Sequence, residues 1–224
     1  MKKFGIVIAA LVCASACGKK EGKFNEASAK QSSTQNVTAS LTLKDSQPGD
    51  SDAGKKAAGD FYAAAFQSSS ATSATAFLMK NMKSGAFAAS CDCSGTSCTF
   101  QDCQSDSGEL TTNGTLSWAD GHVKSNLTAK LVQSGSINIT VTIDVDLTIT
   151  ATSITGHANS TGEYAINTGV PIAGAAGNYK WISNFEYHDV TYANGSPTGG
   201  SVSFDGEYTI ANQTYTSSGS ISYP

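Results

Sequence analysis

The chain has no arginine among its 224 residues. Arginine is the usual fork for phosphate and carboxylate recognition, so its absence argues against a nucleic-acid partner. Charged residues of all kinds amount to 14%, and prolines number four. There is no phosphate loop, no dinucleotide fingerprint and no Gly-x-Ser-x-Gly elbow. These absences point away from an enzyme and imply no cofactor. The longest N-terminal apolar run, Phe4 to Val12, is about half of the roughly 20 residues that a spanning helix needs.

Small polar residues take the place of charge. Ser, Thr, Gly and Asn are abundant, which suits an exported protein rich in β-strand. Seven Asn-x-Ser/Thr triplets occur, beginning with Asn36, Asn113 and Asn126, as an Asn- and Thr-rich chain produces by chance.

The N-terminus reads as an export address. Met1-Lys2-Lys3 gives a cationic start, and the apolar run follows it. Ala14-Ser15-Ala16 then leads to Cys17. This segment resembles the lipobox of bacterial lipoproteins, although that family prefers Leu or Val where Ala14 stands. The resemblance implies a signal peptide over 1–16, acylation of Cys17 and anchoring to a membrane. Gly18, where an Asp favours the inner membrane in that family, favours the outer membrane. An alternative lipid site is Cys13, and the plain alternative is a secretory signal cut near Ala16.

Loss of Lys2 and Lys3 takes the basic residues from 14 to 12 against 18 acids, a mature net charge near −6. The acids are concentrated late: from Gly108 onward three lysines stand against nine acids. About 200 mature residues suffice for one domain with a core. Residues 17–51 are polar and of low complexity, so the sequence predicts a flexible tether there, with one short strand through Val37, Leu41 and Leu43.

A single α+β domain is expected over 52–224. Its first part, 52–89, holds two alanine-rich helices. Ala57, Phe61, Ala64 and Ala65 give one stripe over 52–67, and Leu78, Met82, Gly85 and Ala86 give another over 72–89. From Gly108 the period changes to two. Residues 137–149 alternate without a break, from Ile137 to Ile149. Further strands are predicted near 109–118, 121–133, 152–166, 179–193, 200–210 and 213–223. Short links such as Ala119-Asp120-Gly121 and Asn194-Gly195-Ser196-Pro197 favour an antiparallel meander of about seven strands. Small residues recur mid-strand on the apolar faces, as in Ile154, Gly156, Ala158, Ser160, Gly162. They imply close packing of the two helices on a curved sheet, or a cavity for an apolar ligand. Ser and Gly mid-strand are unsuited to a lipid-facing barrel wall. In element content the chain resembles the open half-barrel carriers of lipids and lipoproteins.

Four cysteines lie close together over 90–107: Cys91, Cys93, Cys98 and Cys103. An exported chain meets oxidising conditions, so two disulfides are expected. Bridging Cys91 to Cys93 strains the link. Two pairings remain: Cys91–Cys98 with Cys93–Cys103, or Cys91–Cys103 with Cys93–Cys98. A four-thiolate zinc site is the alternative, but this spacing is not a familiar zinc pattern. His122, His157 and His188 fall in three different predicted strands and read as surface residues. Asp144 and Asp146 share one wet face, where solvated charge is the ordinary reading and a weak calcium site the other.

The sequence therefore predicts a lipid-anchored envelope protein with a binding or structural role, its partner an envelope protein or an apolar ligand. A carrier with a half-barrel cavity and an envelope hydrolase of unrecognised site are the alternatives.

Overall fold

The structure, a computed structural model, describes residues 20–21, 26–45, 57–58, 61, 92–104, 108, 110–133, 137–166, 177–210 and 213–224. It is α+β and mostly β. In chain order the elements are β1 (Lys20–Glu21), α1 (Glu26–Lys44), β2 (Asp92–Ser94), β3 (Ser97–Gln104), β4 (Leu110–Ala119), β5 (His122–Gln133), β6 (Ile137–Ile149), β7 (Ser153–Ile166), β8 (Gly177–Ala193), β9 (Ser196–Ile210) and β10 (Gln213–Ser222). All the strands belong to one sheet. From β2 to β10 each strand pairs antiparallel with its sequence neighbour, and β1 adds a two-residue parallel rung to β10.

The seven expected strands are β4 to β10. Alternation explains them. In β6, Ile139, Val141, Ile143, Val145, Leu147 and Ile149 are buried, while Asn138, Thr140, Asp144 and Thr148 are exposed. Burying each such aliphatic side chain contributes about 1.5–3 kcal/mol. Two hairpins turn on Asp120-Gly121 and Asn194-Gly195, all four residues at positive φ (52°, 76°, 50° and 76°). Such turns match the twist of the strands they join. β9 starts earlier than expected and runs through Pro197, which pairs with Tyr192 of β8. The pairing of β9 with β10 begins only at Ser201, so Pro197 lies on a local edge where no ladder donor is needed.

The sheet is strongly curved. Helix α1 touches β9 and β10 and also β4 and β5. On a flat sheet β4 and β10 would stand roughly 29 Å apart, at about 4.8 Å per strand. A helix is only about 10–12 Å across. The 19 residues of α1 could reach that far along its length, about 29 Å, but α1 meets these two flanks more than the strands between them, so the sheet curves around it and α1 lies on the concave side.

This helix corrects the tether expected over 17–51. Its inward stripe is Ala29, Ser33, Asn36, Val37, Ser40 and Leu41, all buried, and Leu43 is buried as well. Half of that stripe is polar, so no apolar helical period announces it. Val37, Leu41 and Leu43, read as a short strand, belong to the helix. Among the described residues α1 is the one complete helix, against the two expected over 52–89. That segment lies outside the described residues except for Ala57, Ala58 and Phe61, which are helical and buried in the core. The cysteine-rich connector is also corrected in part, because 92–104 forms the β2–β3 hairpin at the edge of the sheet.

Candidate functional site

The concave face is built in register rows that run across the strands. One row holds Trp118, Val123, Leu147, Gly156, Tyr187, Val202 and Ile221. Two rows further along, Ser160, Ser183, Gly206 and Ser217 lie side by side on β7 to β10. Ser160, with Gly156 and Gly162 on the same strand, is among the small residues that the sequence singles out. Aromatic rings lie over their glycines. A Cβ on Gly162 would fall 1.9 Å from the Trp181 ring, and one on Gly206 would fall 2.6 Å from the Phe204 ring. Phe204 in turn packs on Phe185, with ring centroids 5.0 Å apart. The two glycines therefore seat rings from the same sheet.

Where α1 crosses the concave face, the interface is polar. The Tyr223 hydroxyl donates to Ser33 Oγ at 3.0 Å and lies 3.3 Å from Thr34 Oγ1. The Tyr187 hydroxyl faces Ser33 and Asn36 without a well-formed hydrogen bond to either. Burial pushes the Tyr187 pKa well above the usual tyrosine value, and nearby Tyr223 adds to the shift against the opposing pull of Asn36 and Ser33. Asn36 Nδ2, Ser40 Oγ, Trp118 Nε1 and Ser125 Oγ are buried with no hydrogen-bond partner among the described residues. Buried polar groups of this kind cost stability compared with an apolar helix face. At its outer side α1 is pinned by Thr38 Oγ1, which donates to the Gly195 carbonyl at 3.1 Å.

The convex face carries a polar lattice. Asn126, Asp144, Asn159, Asn184 and Asp205 fall on one register row across β5 to β9. The next row holds Lys124, Asp146, His157 and Glu186. On the other side Thr128, Thr142 and Thr161 are aligned, with Thr128 and Thr142 hydroxyls 3.4 Å apart. Charge is paired within the lattice. Lys124 Nζ meets Asp146 Oδ2 at 3.0 Å, and His157 Nε2 meets Asp144 Oδ2 at 3.3 Å. The two neighbouring aspartates thus face a lysine and an imidazole rather than further acids. Among the described residues no group of three or more His, Cys, Asp and Glu is arranged to hold a metal ion. The other histidines are also on the exposed surface: His188 Nε2 lies 3.0 Å from Ser203 Oγ, and His122 Nδ1 lies 3.4 Å from Thr148 Oγ1. The His157–Asp144 contact was hidden in the sequence because it depends on the register of β6 against β7. The signal that could have found it is the short link from Ile149 to Ser153, which fixes that register.

Of the cysteines, Cys93 and Cys98 are bonded to each other and sit directly opposite in the β2–β3 hairpin, with Cα atoms 4.0 Å apart. This rules out the pairing of Cys91 with Cys98. Cys103 is disulfide-bonded as well. Cys17 and Cys91 lie outside the described residues. Among the described residues no helix is long and apolar enough to cross a membrane.

Compared with protein-family models, curated proteins and solved structures, the chain gives no match.

Proposed function

We propose that this is a lipid-anchored protein of the bacterial cell envelope with a non-catalytic binding or structural role, exercised through the convex face of its sheet. The observation that carries the binding part is the Asn126–Asp144–Asn159–Asn184–Asp205 row. Five amide and carboxylate side chains sit on rigid paired strands, flanked by threonines and facing solvent. Such an array offers many donors and acceptors at fixed spacing to a polar partner such as an envelope protein. The anchor is supported by the cationic start, the short apolar run and Ala14-Ser15-Ala16-Cys17. Gly18 favours the outer membrane. Four or more acyl-chain methylenes already contribute about 3 kcal/mol, so several full chains hold firmly.

The anchor is tested by growing cells with labelled palmitate. The chain takes up label and fractionates with the outer membrane, and Cys17→Ser loses both properties. Label that survives Cys17→Ser overturns the assignment. The binding face is tested in the same cells with a photo-crosslinking residue at Asn184. A discrete adduct that disappears in the Asn159→Lys, Asn126→Lys variant is expected. An adduct pattern unchanged by those substitutions removes the face from consideration.

A second reading, a carrier of an apolar ligand, draws on the concave side. Phe185, Phe204 and Tyr187 line it, and α1 meets it through a polar seam. A lipid-sized adduct in native mass spectra of the purified chain would favour that reading. The helical, buried Ala57, Ala58 and Phe61 are the support for the expected helix over 52–67, as a further cover of the same face.

A further inference from the structure

We propose that the Asn194-Gly195 turn is a site of spontaneous deamidation, and that its conversion to isoaspartate loosens the hold of the sheet on α1. The site does not depend on the anchor or on the convex row proposed above. The chain has two Asn-Gly pairs, Asn113-Gly114 and Asn194-Gly195. In such a pair the second residue has no Cβ to hinder the approach of its amide nitrogen to the asparagine side chain.

The two pairs stand in opposite surroundings. The Asn113 carboxamide is tied at both atoms: Oδ1 accepts from the Asp102 backbone NH at 2.8 Å, and Nδ2 donates to Asp102 Oδ1 at 3.1 Å. Gly114 lies inside β4 between Phe100 and Leu127, where an added Cβ would run into the Asn126 carbonyl. Asn194 is exposed at the tip of the β8–β9 hairpin. Neither its side chain nor the Gly195 amide bonds to a described residue. No described atom comes within 4 Å of the place where a Cβ on Gly195 would stand. Both reacting groups are therefore open to water at residue 194 and held at residue 113.

The reaction needs only water. The Gly195 amide gives up its proton to solvent hydroxide, and its nitrogen attacks Asn194 Cγ. The new C–N bond closes a five-membered imide, the Cγ–Nδ2 bond breaks, and the amide nitrogen leaves as ammonia. Water then opens the imide at either carbonyl, giving aspartate or isoaspartate. Isoaspartate carries the main chain through the side chain and so adds one carbon to a two-residue turn. That turn requires positive φ at both residues, 50° and 76°. The lengthened turn displaces the Gly195 carbonyl, which accepts the 3.1 Å bond from Thr38 Oγ1 in the middle of α1. The modification thus removes the pin at the outer side of the helix.

The test ages the folded full chain in mildly alkaline buffer and reads both asparagines in one sample by peptide mass spectrometry, with fragmentation that distinguishes isoaspartate from aspartate. Asn194 is expected to convert while Asn113 stays intact, and the difference should vanish when the chain is aged in urea. Amide exchange at Val37, Ser40 and Leu41 is compared before and after ageing. Loss of one hydrogen bond should speed it by about two- to tenfold. The Asn194→Gly variant keeps a residue suited to positive φ but cannot form the imide, so its exchange should not change on ageing. Conversion of Asn113 at the same rate as Asn194, or ahead of it, in the folded chain overturns the site. Full conversion of Asn194 with exchange in α1 unchanged overturns its link to the helix.

Discussion

The indole of Trp181 on β8 occupies the place that a side chain on Gly162 of β7 would need. The two residues are direct cross-strand partners, so the ring of one covers the backbone of the other. Gly162→Val forces the ring out of this seat. We expect a loss of about 1–3 kcal/mol, as for other overpacked cores. Urea unfolding of the variant beside the parent measures it, and an unchanged midpoint would show that the ring has another place to go.

The two inward tyrosines should respond differently to loss of a hydroxyl. Tyr223→Phe leaves Ser33 Oγ buried without that bond and should cost about 1–3 kcal/mol. Tyr187→Phe removes a buried hydroxyl with no well-formed bond to any described residue, so a change within about 1 kcal/mol of zero is expected. Equal losses in the two variants would contradict this difference between the two hydroxyls.

Tyr187 also sets a limit at alkaline pH. Its folded-state pKa is raised, so the unfolded chain gives up this proton first. The stability linked to it is complete below the usual tyrosine value near 10 and falls as pH rises above that value. Tyr187→Phe should unfold less steeply than the parent above about pH 10. Parallel slopes for the two proteins would mean that the hydroxyl is not buried in solution.

Much of the sheet was legible in the sequence, and for one reason. A strand with a dry face and a wet face alternates, and β6 does so over thirteen residues, so its bounds of Ile137 and Ile149 coincide with expectation. Two elements broke that rule. In β3 the buried residues are Cys98, Phe100 and then Cys103, because the pairing slips between Phe100 and Cys103 and Asp102 takes a positive φ of 49°. Asn113 holds that bulge by accepting from the Asp102 backbone NH at 2.8 Å. In α1 the helical period is present, but Ser33, Asn36 and Ser40 occupy it. Nor does the sequence show which acid a histidine meets: Asp144 and His157 become neighbours only once β6 and β7 are paired.

The cysteine pairing makes a covalent prediction. With Cys93 joined to Cys98, the pairing left open by the sequence places Cys103 on Cys91. Unreduced peptide mapping should recover both links in protein folded under oxidising conditions. Breaking the five-residue link by Cys93→Ser, Cys98→Ser should cost about 2 kcal/mol, since a short loop restricts the unfolded chain only modestly.

The helix should behave as part of the folded unit. Val37→Asp places an unpaired charge at a fully buried site and should cost about 3 kcal/mol or more. Backbone amides of Val37, Ser40 and Leu41 should exchange with solvent as slowly as those of β6. Fast exchange at all three would restore the tether.

The meander also dictates an order of assembly. Every strand from β2 to β10 finds its partner in the strand beside it in sequence, so the sheet can grow hairpin by hairpin as the chain is synthesised. Helix α1 is made early, yet one residue that binds it, Tyr223, lies 190 residues beyond Ser33. Until β10 has joined the sheet, helix α1 has no completed seat. The last step of folding is therefore the return of the first segment, and a chain cut short before β10 would leave α1 exposed to proteases and β9 as an open edge.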